Sequence, residues 1–345
     1  MKRGGLRHMQ TAQTQQTAQT QQTKHAAATM HRAQTVERDS NVPENRLPAI
    51  SIVVPSFNQG QFIERCLQSI LEQGYPKLEV HVVDGGSTDE TVDVLHSFDD
   101  ERQIKWTSKP DKGVVDAVNQ GFQRCTGDVV GIQSSDDLYL TGVFDQVANH
   151  FAEHQQCDLL YGDCIKVDAD GNELLRQPTS DYSLENLLTF RTWIPQPSAF
   201  FRRAMLSRCG AWDESVPYAA DTDLWYRIAL CGTVQKLPEF LSQRRVHDQQ
   251  RDLCGEKIIR DYGKTIRRLV QRDDVTSQIK RCAIAGDHLL KIRYRPDHSF
   301  HNAWHTFCAG WADRELRDWN KVFWHLALPI RKALSPIKST LLGRK

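Results

Sequence analysis

This 345-residue sequence lacks several patterns by which common protein classes are identified. No apolar stretch approaches the ~20 residues of a membrane-spanning helix, and the N-terminus has basic residues without the apolar segment of a secretory signal. The nine cysteines are an odd number and form no Cys-x-x-Cys pair. These absences predict a cytoplasmic protein with reduced thiols, without a disulfide framework or a structural zinc site.

The common glycine-rich phosphate-binding motifs are also missing. The sequence contains neither Gly-x-Gly-x-x-Gly nor a Gly-Lys-Ser/Thr loop, so a dinucleotide-binding enzyme or a P-loop NTPase has no support. Nucleotidyl transfer would need a glycine-rich loop with basic residues after the first strand, and Pro55-Ser-Phe-Asn58 does not provide one.

Charge is distributed unevenly along the chain, although the formal net charge is only +1. Residues 1–46 carry 7 basic and 3 acidic groups, and residues 256–345 carry 19 and 9, so the centre is strongly acidic. An acidic centre argues against a nucleic-acid groove and favours a site that binds a cation. The basic end suits phosphate head groups or an acidic partner.

Composition divides the chain into three parts. In residues 1–46 the hexapeptide Thr11–Gln16 repeats directly as 17–22, and the lack of apolar periodicity predicts disorder. Residues 47–254 have the pattern of a folded domain. Residues 255–345 are predicted to be helical, basic and rich in tryptophan. The apolar and basic end supports two interpretations: it packs on the preceding domain, or it lies peripherally at the inner face of a membrane.

The central part alternates between strand and helix patterns. This alternation predicts an α/β fold with a mostly parallel, doubly wound sheet whose loops gather at the carboxyl edge, followed by a helical C-terminal extension. Asp168-Ala-Asp-Gly-Asn172 is interpreted as a β-turn because no Glu occupies the twelfth position of a calcium loop. The strand patterns lie at 49–54, 78–83, 104–106 and 129–132, and the helical ones at 61–73, 90–97 and 114–124.

Acidic residues follow several of these strands: Asp84, Asp89, Asp111 and the pair Asp136–Asp137. Each alone has an ordinary explanation, because aspartate favours turns. Four acidic loops at one sheet edge indicate a ligand site. Two adjacent carboxylates repel each other, and a divalent ion such as Mg²⁺ or Mn²⁺ bridging to a phosphate relieves that repulsion.

Several motifs follow one another in order along the central part of the chain. They are Ile52-Val-Val-Pro-Ser-Phe-Asn58, Val82-Val-Asp-Gly-Gly-Ser-Thr-Asp-Glu-Thr91, Lys109-Pro-Asp-Lys-Gly113, Ala117-Val-Asn-Gln-Gly121, Ser134-Ser-Asp-Asp137 and Asp221-Thr-Asp-Leu-Trp225. Together these motifs resemble family-2 glycosyltransferases of the A-type fold (GT-A), and the resemblance covers about residues 50–247. It departs from the usual pattern at Ser134, where an acidic residue or Asn is common, and beside Asp221, which Ala220 and Thr222 flank.

The resemblance implies a role for each motif residue. Asp221 is expected to be the catalytic base, and Asp137 to hold a divalent cation, Mg²⁺ or Mn²⁺, with His247 near that metal. Asp84 is expected to bond the nucleotide base. The remaining nucleotide-sugar-binding residues are expected to be Pro55, Ser56, Asn58, Ser87, Asp111 and Asp136.

The implied function is inverting, metal-dependent transfer of a sugar from a nucleotide-diphosphate sugar, with UDP favoured, to a hydroxyl of a glycan or lipid-linked acceptor in cell-surface polysaccharide biosynthesis. The alternative function is an inactive member of a glycan assembly complex that binds sugar nucleotides or glycans without turnover.

Asp221 and Asp223 also have a simpler explanation. They begin a predicted helix, and acidic groups stabilise the first turn of a helix.

Overall fold

The computed structural model of the protein describes residues 43–247, 254–295 and 299–312. The expected disorder of the N-terminal repeat therefore lies outside the described residues, as do Trp319, Trp324 and the rest of the C-terminal end. Residues 44–46, at the end of the segment predicted to be disordered, form a short 3-10 helix, and Leu47 after it is buried.

Strands and helices alternate through the first half of the described chain. The strands are β1 (Ile50–Ser56), β2 (Leu78–Asp84), β3 (Ile104–Ser108), β4 (Val129–Ile132), β5 (Leu138–Tyr139), β6 (Leu159–Val167), β7 (Glu173–Arg176), β8 (Ala199–Arg202) and β9 (Val234–Arg245). The α-helices are α1 (Gly60–Leu71), α2 (Thr91–His96), α3 (Val114–Arg124), α4 (Val143–Glu153), α5 (Leu184–Leu188), α6 (Ala204–Cys209), α7 (Ala220–Cys231), α8 (Gly255–Gln271), α9 (Ser277–Tyr294) and α10 (Ser299–Ala312).

These strands form one sheet in the order β3-β2-β1-β4-β8-β6-β9-β5, with β7 paired to β6. The pairs among β1 to β4 are parallel, as the strand–helix alternation predicts. The other half is mixed: β8 runs antiparallel to β4 and β6, whereas β9 is parallel to β6. The α/β fold with a helical C-terminal region is thus confirmed, and the parallel half aligns the carboxyl ends of β1, β2 and β4.

The first strand runs through Pro55 to Ser56 instead of stopping before the proline. Its pairing with β4 ends at Val53, which lies opposite Ile132, while its pairing with β2 continues to Ser56. The Pro55 carbonyl accepts a hydrogen bond from the Ser135 hydroxyl on the β4 side. Because β4 has already ended there, the missing proline N–H costs no ladder hydrogen bond.

Helices cover both faces of the sheet. Alternate residues of β1 point to opposite faces of the sheet. Ile52 packs in a first helical layer with α1 and α4, whereas Val53 packs in a second helical layer with α3 and α7. The predicted helical extension joins the second layer through Ile266 of α8 and Ala283 of α9. None of the described helices is both long enough and apolar enough to cross a membrane.

Candidate active site

A cleft of about 1220 Å³ lies at the carboxyl edge of the parallel strands. The loops after β1 and β4, the start of α7, the end of β9 and parts of α8 and α9 contribute to its walls. Three predicted site residues, Asn58, Asp84 and Ser87, are absent from its lining. Seven predicted site residues line it: Pro55, Ser56, Asp111, Asp136, Asp137, Asp221 and His247.

Asp84, the last residue of β2, is fully buried beneath the loop that follows it. Its Oδ2 accepts hydrogen bonds from the backbone N–H groups of Gly86 and Ser87 and from the Ser108 hydroxyl, at 3.1, 2.9 and 2.6 Å. Its Oδ1 accepts the Ser87 hydroxyl, which in turn accepts the Asn58 N–H at 2.7 Å. Asp84 therefore holds the β2 loop in shape from below the cleft.

Ser56 and Gly85 are at the cleft surface instead. Ser56 is 5% exposed, and its hydroxyl finds no hydrogen-bond partner among the described residues. A Cβ atom on Gly85 would lie 3.0 Å from Oδ2 of Asp111, so this glycine lets the two loops approach closely. Phe57, which the sequence reasoning did not single out, is 57% exposed and lines the cleft. This part of the cleft combines an apolar ring with one unpaired hydroxyl.

Asp136 and Asp137 lie in a turn between β4 and β5. The Asp137 N–H donates to the Ser134 carbonyl at 3.0 Å, which closes the turn. Ser134, the position that departs from the family pattern, donates its hydroxyl to Oε1 of Gln196 at 3.2 Å. Gln196 also lines the cleft, so an uncharged pair occupies the place beside the two carboxylates.

Asp137 is 4% exposed, and both burial and the neighbouring Asp136 charge raise its pKa well above the usual value. Its Oδ1 accepts the Arg245 N–H at 2.8 Å. Two carboxylates held this closely, one of them desolvated, favour binding of a cation that would neutralise both.

The end of β9 lies beside the turn that holds Asp136 and Asp137. The Arg245 guanidinium donates to the Asp136 carbonyl at 3.0 Å and lies over the Phe62 ring. His247, two residues on, places Nε2 3.0 Å from Oδ2 of Asp136 and its ring 5.4 Å from that of Phe62. The structure thus brings the predicted metal residues Asp137 and His247 to the same turn, with Asp136 between them.

A divalent cation fits this donor set only if further ligands are supplied. Among the described residues, no three His, Cys, Asp or Glu side chains come together as a group able to hold a metal ion by themselves. Carboxylate and imidazole groups on one wall of an open cleft leave coordination positions for oxygen atoms of a bound phosphate. The buried Asp137 carboxylate is the residue best placed to hold such an ion.

Asp221 and Asp223 lie in the first turn of α7 but have different surroundings. Asp223 is buried, and its carboxylate bonds Arg227 at 2.8 Å and the Thr265 hydroxyl of α8 at 3.1 Å, so it joins two helices. Asp221 lines the cleft, and its Oδ1 accepts the Thr222 N–H at 2.7 Å. The motif therefore separates into one structural carboxylate and one that faces the cleft.

Two tryptophans beside Asp221 were not predicted as site residues. Trp212 and Trp225 line the cleft and are 7% and 1% exposed, yet their indole N–H groups have no hydrogen-bond partner among the described residues. A buried donor without a partner costs about 1–3 kcal/mol unless a ligand or water accepts it. The sequence did not reveal these unpaired N–H groups, because the helical spacing around Trp225 is typical of a core residue. Trp225 does also pack against Phe201.

The fold is that of the A-type glycosyltransferases. The structure is similar to Staphylococcus aureus TarS in complex with UDP-GlcNAc, with a TM-score of 0.61 and 17% identity over 76% of this chain and 81% of the other. It is also similar to the mannosyltransferase PcManGT from Pyrobaculum calidifontis in complex with GDP-Man and Mn²⁺, with a TM-score of 0.56 and 20% identity over 88% and 86%.

The sequence comparisons identify the family. A family model described as glycosyl transferase family 2 matches residues 51–210. The chain is also 33% identical, over 180 residues, to a PGL/p-HBAD biosynthesis glycosyltransferase of Mycobacterium bovis. The aligned part covers 51% of this chain and 68% of that protein. The chain therefore belongs to glycosyltransferase family 2 and is a glycosyltransferase, as the ordered motifs predicted.

Proposed function

We propose that the protein transfers a sugar from a nucleotide-diphosphate sugar, with UDP the favoured nucleotide, to a hydroxyl of a glycan or lipid-linked acceptor, with inversion at the anomeric carbon. The observation that carries this proposal is that Asp221 lines the same cleft as Asp136 and Asp137. The cleft therefore contains a carboxylate pair suited to a cation that would bind the leaving diphosphate, and a separate carboxylate suited to the acceptor hydroxyl.

The nucleotide half of the cleft lies at the β1 and β2 loops. The unpaired Ser56 hydroxyl and the exposed Phe57 ring are available for hydrogen bonding and stacking of a base, and Asp111 sits beside Gly85. Asp84 acts through the loop: with Ser87 and Asn58 it fixes the backbone that the nucleotide meets. This role replaces the direct contact with the base that the resemblance implies.

Asp137, assisted by Asp136 and His247, would hold Mg²⁺ or Mn²⁺ against the diphosphate. The cation would neutralise the charge that develops on the leaving group without a proton transfer. The Arg245 guanidinium and backbone N–H keep the carboxylate pair in position when no cation is bound.

Asp221 would act as a general base that removes the proton of the acceptor hydroxyl as that oxygen attacks the anomeric carbon. General-base catalysis typically contributes about 10²–10⁴-fold in rate. A single displacement of this kind inverts the anomeric centre. The unpaired indole N–H groups of Trp212 and Trp225 are suited to donate hydrogen bonds to oxygen atoms of the reacting sugars.

We also propose that the C-terminal region 255–345 functions together with the domain of residues 47–254, because its helices α8 and α9 contribute to the cleft. Ile258 and Tyr262 of α8 and Arg293 of α9 line the cleft. On α10, Trp304 and Trp311 are 60% and 75% exposed, which supports peripheral association with a membrane at its cytoplasmic face. That location fits a lipid-linked acceptor and a role in cell-surface polysaccharide biosynthesis.

The test compares Asp221→Asn with Asp223→Asn. With Mn²⁺ and a panel of UDP-, GDP- and dTDP-sugars, the wild type is expected to hydrolyse or transfer one donor. Asp221→Asn should lose about 10²–10⁴-fold in turnover with donor affinity and melting temperature unchanged. Asp223→Asn, the matched control on the same helical turn, should lower the melting temperature and leave the chemistry of the folded enzyme intact.

Two results would contradict the proposal. If Asp221→Asn retains full turnover, the base is another residue. If the wild type binds a donor but never turns it over, with or without Mn²⁺ and with a range of acceptors, the inactive binding member of an assembly is the better description.

A further inference from the structure

Two cysteines outside the cleft have their sulfur atoms in close contact. The Sγ atoms of Cys209 and Cys231 are 3.0 Å apart, and both residues are free thiols. A disulfide bond needs about 2.05 Å between the sulfur atoms, so an approach of roughly 1 Å is enough. We propose that Cys209 and Cys231 form an intramolecular disulfide on oxidation, which fastens the end of α6 to the end of α7.

The two helix ends are already held together by reciprocal hydrogen bonds. Arg208 of α6 donates to the carbonyl of Cys231 at 2.6 Å. Arg227 of α7 donates to the carbonyl of Cys209 and, at 2.8 Å, to that of Ala211. Each arginine thus binds the backbone of the cysteine on the opposite helix. These hydrogen bonds hold the two helix ends together, and with them the two thiols.

The surroundings also indicate which thiol reacts first. Cys231 is exposed, whereas Cys209 is only partly exposed. Burial and the neighbouring Cys231 sulfur raise the pKa of Cys209 to about 12. Cys231 is therefore the entry point for an oxidant, and Cys209 is the thiol that completes the bond.

The chemistry balances with a small disulfide oxidant such as oxidised glutathione. The Cys231 thiolate attacks one sulfur of the oxidant and releases one glutathione thiolate, leaving a mixed disulfide. Cys209 then passes its proton to the released glutathione thiolate, attacks Sγ of Cys231 and releases the second glutathione thiolate. Two protein thiols are oxidised to one disulfide while one glutathione disulfide is reduced to two thiols.

The bond would close a loop that contains much of one cleft wall. Asp221 lies at the start of α7 and Cys231 at its end, and Trp212 follows Cys209 by three residues. Closing a loop of this length restricts the unfolded chain and should raise the melting temperature by roughly 6–12 °C. Thiol chemistry and thermal unfolding can be followed without turnover, so this inference does not depend on the proposed function.

The experiment treats the reduced full-length protein with oxidised glutathione and counts thiols after denaturation, followed by peptide mapping. We expect two fewer titratable thiols than the nine of the reduced protein, a peptide pair joined through Cys209 and Cys231, and a melting temperature that returns to its starting value with dithiothreitol. Cys209→Ser and Cys231→Ser should each abolish all three changes. Cys308→Ser, at another partly exposed cysteine, should leave them intact.

Three results would overturn the inference. One is a stable mixed disulfide with glutathione at Cys231 that Cys209 never resolves. Another is a linkage between molecules, seen as a dimer on a non-reducing gel. The third is that both thiols remain reactive after oxidation. If a serine variant fails to fold, Cys231→Ala serves as the second variant, because that side chain is exposed.

Discussion

Replacing Asp84 by Asn distinguishes the two roles considered for this residue. The resemblance to the family implies contact with the nucleotide base, whereas the structure buries the carboxylate under four hydrogen bonds from Gly86, Ser87 and Ser108. If the loop role is correct, the substitution should destabilise the protein and weaken nucleotide binding only as far as the loop loosens.

The magnitude follows from the hydrogen bonds. An asparagine can keep its oxygen at the Oδ2 position, where three donors converge, and turn its NH₂ group to the Ser87 hydroxyl, which can reorient to accept. The three remaining bonds then lose their charge, at about 1 kcal/mol each, because bonds to charged groups contribute about 1.5–3 kcal/mol and neutral ones about 0.5–1.5. A total near 3 kcal/mol corresponds to a fall in melting temperature of roughly 6–12 °C.

Thermal unfolding, together with calorimetric titration with UDP at a temperature well below the melting transition, gives the answer. Ser108→Ala is the matched control: it removes one donor to the same oxygen and should cost about a third as much. An Asp84→Asn protein with an unchanged melting temperature and a tenfold or greater loss of UDP affinity would refute the loop role and restore direct contact with the base.

Three further changes test other parts of the structure. Burial would raise the pKa of Glu79, but hydrogen bonds from Ser51, Thr126 and Gly127 lower it from 4.5 to about 2; Glu79→Gln should therefore cost about 1–2 kcal/mol in chemical denaturation above pH 4.5, after allowance for solvent screening, and this difference should vanish as the pH falls towards 2. Gly85→Ala should raise the donor KM several-fold in steady-state kinetics, because its Cβ would crowd the Asp111 carboxylate; an unchanged KM would place the donor elsewhere. Combined Trp304→Ala and Trp311→Ala substitutions should reduce sedimentation with anionic vesicles without changing donor affinity, and unchanged sedimentation would remove α10 from the membrane proposal.

Local sequence patterns predicted much of the parallel half of the fold. Helix α3 and strand β4 begin and end at the predicted residues, because sharp turn residues bound both. The predictions were less complete where tertiary pairing decides. The pattern at 240–246 predicts a strand that begins at Phe240. The observed strand, β9, begins six residues earlier at Val234, because β6 supplies a parallel partner along its length. The short elements β5, α5 and α6 were not predicted, because so few residues carry little periodicity.

The acidic residues show why a site can be located from sequence more easily than its chemistry can be assigned. Asp84, Asp89, Asp111 and the pair after β4 all follow strands, and their local patterns are equivalent. Asp89 is used entirely for the fold, since its two oxygens accept N–H groups of Gly60 and Thr91 at the start of α1 and α2.

Whether such a carboxylate serves the fold or a ligand depends on donors that come from distant parts of the chain. Ser108, 24 residues from Asp84, completes the burial of that carboxylate. Arg245, 108 residues from Asp137, donates its backbone N–H to that carboxylate, which lies at the cleft surface beside the like charge of Asp136. A satisfied carboxylate gains little from a cation, whereas a buried and repelled pair gains much. The difference in donors therefore explains why a cation is expected at Asp137 and not at Asp84.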